Sequence, residues 1–168
     1  MVATPATAGY LFHNFENLLR LGFRQIGINY ALGSIWRPGQ RNVFFRQLDL
    51  VLGSFGPFIR KGAIRLSNLG SRAEPAILNS EIMADTDGSV HLLTDWLFER
   101  TCRVKTERLG WVRDMKIMNE IFISKFGALY RLFSQHKSKA LRRLIVNNVE
   151  MGGLAKQYFA GWKEKLQI

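Results

Sequence analysis

The residues able to do chemistry are few and far apart. The chain has three histidines and one cysteine in 168 residues. His13, His91 and His136 fall in no His-x-x-x-His or Glu-x-x-His pattern, and a zinc site needs about three or four ligands at workable spacing. Cys102 has no cysteine partner, which excludes an internal disulfide and a cysteine-only zinc cluster. A nucleophilic pair of Cys102 with His91 or His136 would have to form in space, because nothing local supports it. Asp85, Asp87 and Gly88 have the spacing of three positions in a calcium loop. Met83 and Thr94 would then stand where its first and last carboxylates belong, and two carboxylates cannot supply the oxygens calcium takes. There is no Walker-type phosphate loop, no dinucleotide glycine fingerprint and no serine nucleophile elbow. The expectation is no catalytic residue, no cofactor, no metal and no small-molecule substrate.

Charge is the stronger signal. The formal net charge is +11 and the isoelectric point about 10.3, which calls for an anionic partner: lipid head groups, nucleic acid or acidic protein. Residues 1–72 hold nine basic and two acidic side chains, residues 73–114 five and eight, and residues 115–168 ten and three. Two basic ends therefore flank a slightly acidic middle.

Apolar periodicity says what presents this charge. In 115–148, Met118, Phe122, Phe126, Leu129 and Phe133 recur at helical steps, forming one apolar stripe. Arg131, Lys137, Lys139, Arg142 and Arg143 surround or follow it. A first helix is expected over 10–28, with Phe12 and Phe15 among its apolar residues and Arg20 and Arg24 on the other side. Trp36 lies in a loop, 33–42, as an anchor for a partner or a cap on its own core. Helices are expected over 43–52 and 58–69, broken by the Gly- and Pro-bearing stretch between them, and over 94–105. Gly152 and Gly153 interrupt before a last helix that carries Tyr158, Phe159 and Trp162. The predicted class is mainly α: amphipathic helices packed as an irregular bundle, with a short β-hairpin near residues 81–93 around the Asp87–Gly88 turn. One domain is expected over 1–168, with 1–9 an extended arm and 154–168 a C-terminal helix.

Two short stretches are similar to motifs of known families. Leu129, Tyr130 and Arg131, with Phe133 beyond, resemble the tripeptide of the LYR family of small mitochondrial helical subunits and assembly factors. That family carries it near the start of a three-helix domain, and residues 132–168 are too few to build one. Gly56, Pro57, Phe58, Ile59, Lys61 and Gly62 resemble the phosphate-adjacent motif of the UbiB-type kinases. Ala63 replaces its glutamine, and the chain has no room for a kinase core.

No stretch approaches the ~18 apolar residues of a spanning helix. The first 48 residues carry five arginines against Glu16 alone, the composition of a mitochondrial targeting segment and equally of a surface helix in a basic protein. These observations lead to one main expectation: a non-catalytic accessory subunit of a large assembly, in a mitochondrial inner-membrane complex such as a respiratory complex or ATP synthase. It would contact other subunits and anionic lipid head groups through Phe12, Phe15, Arg20, Arg24, Trp36, Arg131, Lys137, Lys139, Arg142, Arg143 and Trp162. The alternative is an RNA-binding protein of a mitochondrial ribosome, with the same cations on phosphates and Tyr158 or Trp162 stacked on bases.

Overall fold

A computed structural model describes residues 1–70, 82–92, 108–117, 127–128, 130–131 and 138–168. They are mainly helical with small sheets, as the periodicity predicts. The expected helix over 94–105 and most of the stripe over 115–148, including Lys137, lie outside the described residues. The chain packs as two compact units, residues 1–76 with 147–168, and residues 77–146.

The first unit opens with β1 (Val2–Ala3), a 3-10 turn at Ala8–Tyr10, and α1 (Leu11–Arg20). Residues 1–9, expected as an extended arm, pack onto this unit: Ala3 and Ala8 are buried, and β1 pairs in parallel with β3 (Asn29–Tyr30). Helix α1 stops well short of residue 28. Gly22 takes φ +93°, which only glycine adopts at little cost, and the N–H groups of Gly22 and Phe23 bond the carbonyls of Leu19 and Leu18. The chain then leaves the helix as β2 (Gln25–Ile26).

Helix α2 (Pro38–Arg60) is one element of 23 residues where two were expected. Pro38 opens it, at the position where its fixed φ suits and its missing N–H costs nothing, and the Gln40 side chain accepts from the Arg37 N–H at 3.0 Å. Pro57 sits inside without ending it. It removes one helical bond, to the carbonyl of Gly53, which is exposed to water. Meanwhile Phe44, Leu48, Val51, Leu52, Gly56 and Ile59 stay buried along one face, and that burial outweighs one lost bond. The C-terminus of α2 repeats that of α1. Gly62 has φ +74°, and the N–H groups of Gly62 and Ala63 bond Ile59 and Phe58. β4 (Arg65–Leu66) follows and pairs in parallel with β2, Gln25 opposite Arg65 and Ile26 opposite Leu66. A short α3 (Ser67–Gly70) comes next.

The second unit contains an antiparallel sheet of β5 (Ile82–Ala84), β6 (Ser89–Leu92) and β7 (Gly110–Trp111), so the hairpin expected near 81–93 is present with a third strand beside it. A 3-10 segment, Val112–Ile117, follows β7. Helix α4 (Lys139–Leu166) runs unbroken through Gly152 and Gly153. Each glycine costs about 1 kcal/mol in a helix, but buried Met151, Ala155, Phe159 and Leu166 hold that part of α4 in the core.

Three asparagines do work that patterning does not reveal. Asn147 accepts from the Trp36 N–H at 2.6 Å and donates to the Trp36 carbonyl at 2.9 Å. Asn148 accepts from the Gly33 N–H at 3.0 Å and donates to the Ser34 carbonyl at 2.9 Å. Asn68 holds both backbone groups of Ile28, at 2.7 and 2.8 Å. A carboxamide carries one acceptor and one donor side by side, so each imitates a strand neighbour for an irregular segment that lacks one.

Candidate functional site

The site follows from the directions of three helices in the first unit. The Phe12 N–H donates to Gln47 Oε1 at 3.0 Å, the Phe15 ring lies 5.4 Å from that of Phe55, and the Arg65 N–H donates to the Arg24 carbonyl at 2.7 Å. Helices α1 and α2 are therefore parallel. Residues 147–166 of α4 run the same way: Glu150 pairs with Arg41 at 2.8 Å, Tyr158 lies on Phe45 at 5.0 Å, and Leu166 packs beside Gly56. All three helices thus end at one place.

Parallel helices add their dipoles. Each C-terminus carries about half a negative charge, so the common end holds roughly −1.5. Seven cations stand there: Arg20, Arg24, Arg60, Lys61, Arg65, Lys163 and Lys165, all exposed, against Glu164. Part of this charge stabilises the helix ends. Arg24, for instance, donates from its guanidinium to the carbonyls of Leu19 and Phe23, at 2.9 and 3.1 Å. The cations still exceed the dipoles severalfold, and among the described residues none of the seven is ion-paired. The end is strongly electropositive.

It is also greasy. Leu21 is 74% exposed, Phe23 54% and Phe58 53%, all in or just after the last helical turns. Beside them lies a cleft of about 520 Å³. Its floor is aliphatic, from Ile59, Ile64, Leu66 and Leu69, and its rim carries Gln25, Gly62, Ser67, Arg65, Lys163 and Ile168. Cations interleaved with exposed apolar side chains on one face can bind an amphiphilic anionic surface. The apolar groups enter the acyl boundary while the cations stay among the head groups.

The expected contact residues divide. Arg20 and Arg24 belong to this end. Phe12 is half-buried on the Phe55 ring, 6.0 Å away. Phe15 and Trp36 are 0% exposed and contact no partner: they are core. Trp36 is drawn inside because its Nε1–H finds the Ala31 carbonyl at 3.1 Å and its ring meets the edge of Phe44 at 5.4 Å. Trp162 donates to Asp49 at 3.2 Å, as Tyr158 does at 2.5 Å, and Lys165 lies over the Trp162 ring at 4.8 Å. The two aromatics expected to stack on bases are therefore engaged within the fold. Arg131, Lys139, Arg142 and Arg143 are exposed but belong to the second unit.

Arg60, Lys61, Arg65, Lys163, Phe23 and Phe58 were not among the contact residues expected from patterning. A signal did exist: Phe15, Arg20 and Gly22 recur forty residues later as Phe55, Arg60 and Gly62.

The acid–base groups serve the hairpin. Asp87 Oδ1 accepts from the Ser89 N–H at 2.7 Å and the Ser89 hydroxyl at 2.6 Å, and His91 Nε2 is 2.8 Å from that hydroxyl. The Ser89 hydroxyl, and after it the Ser89 N–H, hold the Asp87 carboxyl below the usual carboxylate range. Because the carboxylate takes the hydroxyl proton, His91 donates to Ser89 and does not act as its base. A nucleophilic serine needs the reverse order. Asp85 Oδ1 accepts from the Thr86 N–H at 2.7 Å, so both aspartates shape the turn. Among the described residues no group of three or more His, Cys, Asp or Glu is placed to hold a metal ion, and no helix is long and apolar enough to cross a membrane.

Comparison with known proteins returned no match: no family model, curated protein or solved structure is similar to this chain.

Proposed function

We propose that this chain is a non-catalytic accessory subunit of a larger assembly, resting on an anionic membrane surface through the common end of α1, α2 and α4. The observation that carries the reading is the coincidence of seven cations with exposed Leu21, Phe23 and Phe58. Peripheral attachment needs two signals, since cations or a little apolar surface alone hold weakly. Each Lys or Arg near an anionic surface contributes ~1 kcal/mol, enough to hold the face there at physiological salt. The acid-poor, arginine-bearing opening suits a mitochondrial address, and a respiratory complex or ATP synthase of the inner membrane would supply both anionic lipid and subunit partners.

The test is flotation of the full chain with neutral vesicles and with vesicles containing cardiolipin, across a salt series, beside a titration with bulk RNA. The expected result is binding to the cardiolipin vesicles only, weakening with salt. A steep salt slope on RNA with no vesicle binding would instead favour the ribosomal reading and sink this one.

A further inference from the structure

We infer that the cleft at this end binds a long-chain fatty acid, with its alkyl chain on Ile59, Ile64, Leu66 and Leu69 and its carboxylate between Arg65 and Lys163. Its volume, about 520 Å³, lies within the range of small-molecule sites, ~300–1,000 Å³. The floor is wholly aliphatic, with no aromatic ring to stack a base or a planar cofactor. Gln25 supplies a single side-chain amide, at the rim and not on the floor. The polar side chains stand at the rim, and the charged ones, Arg65 and Lys163, are both positive; Ile168 lines the cleft beside Lys163. An open aliphatic floor edged by two cations is complementary to one alkyl chain ending in an anion, which uses both features at once. Two chain segments 98 residues apart supply these cations, so the mouth exists only in the folded unit. The cleft shares Arg65 and Lys163 with the cationic face, whereas Arg20, Arg24, Arg60, Lys61 and Lys165 do not line it.

The experiment is isothermal titration of the full chain, in vesicle-free buffer, with myristate below its micelle concentration. Myristyl alcohol and acetate are the comparisons. Saturable one-to-one binding of myristate is expected, at least tenfold tighter than the alcohol, with none for acetate. The double variant Arg65→Ala/Lys163→Ala removes exposed side chains and should abolish the preference for acid over alcohol. Ser67→Phe, filling the rim, should weaken both ligands at least tenfold while leaving flotation with cardiolipin vesicles intact. No saturable binding, equal binding of acid and alcohol, or affinity unmoved by the double variant overturns the inference. Should Ser67→Phe fail to fold by circular dichroism, the double variant decides alone. Myristate binding without vesicle binding would leave this inference standing and remove the membrane reading, and the converse would do the opposite.

Discussion

Gly62 ends α2 as Gly22 ends α1, at a separation of forty residues that is also the register of the strands beyond them, where Gln25 faces Arg65. The first unit is thus built on two parallel copies of helix, left-handed glycine and short strand. This arrangement, more than any single side chain, brings the cations to one face. It makes the glycines the simplest points at which to disturb it. Gly22→Ala and Gly62→Ala should each destabilise the protein by about 1–2 kcal/mol. An added Cβ meets no neighbour at either place, so the cost is backbone strain alone. Urea unfolding measures it, and a stabilised variant would show that the glycine conformation is not required.

Asn148 is 0% exposed and has its carbonyl and amide both engaged with the loop at 33–34. Asn148→Asp keeps the shape and the acceptor but loses the donor. It leaves the Ser34 carbonyl without that bond and buries a charge. A loss of about 2–3 kcal/mol is expected at neutral pH by urea unfolding, with part of it recovered at acid pH where the new carboxyl takes a proton. Equal stability of the two proteins at neutral pH would contradict this account of the loop.

Tyr158 sets an alkaline limit. Burial, and then its hydrogen bond and charge interaction with Asp49, push its hydroxyl well above the ordinary value of 10.0. A raised folded value means that above about pH 10 the unfolded chain gives up a proton which the folded one keeps. The stabilisation is therefore complete below that pH and declines as pH rises past it. Tyr158→Phe should cost about 1 kcal/mol at pH 7, the partner being exposed, and should lose less on going from pH 9 to pH 11 than the parent does. Parallel stability curves for the two proteins over that interval would refute it.

The two basic regions can be separated by charge reversal. Arg60→Glu/Lys61→Glu changes the charge at the helix ends by four. It should lower affinity for cardiolipin vesicles by a hundredfold or more at low salt, by the ~1 kcal/mol each such residue supplies. Arg142→Glu/Arg143→Glu makes the same change in the second unit and should lower it by less than tenfold. Flotation of both against the parent is the measurement. An equal loss from the two would mean that total charge, not the convergent end, drives association.

Much of this protein could be read from residue order. Apolar spacing predicts that it is mainly helical. The Asp-Gly turn between alternating residues predicts the hairpin at 82–92, because strand and turn chemistry act over a few neighbouring residues. The net charge of +11 is likewise read from order alone, since charge is additive and needs no fold to be counted, and the anionic partner stays a proposal built on it. Residue order misplaced the breaks. The Pro57 and Gly152–Gly153 positions were expected to end helices, yet the helices continue, because burial along α2 and α4 outweighs local preferences of about 1–3 kcal/mol. Trp36 and Phe15 looked available to a partner until packing placed both in the core. Which cations act together was also undecided by order alone. Arg65 and Lys163 share a cleft only because α2 and α4 run parallel, and helix direction depends on long-range packing that no local pattern records.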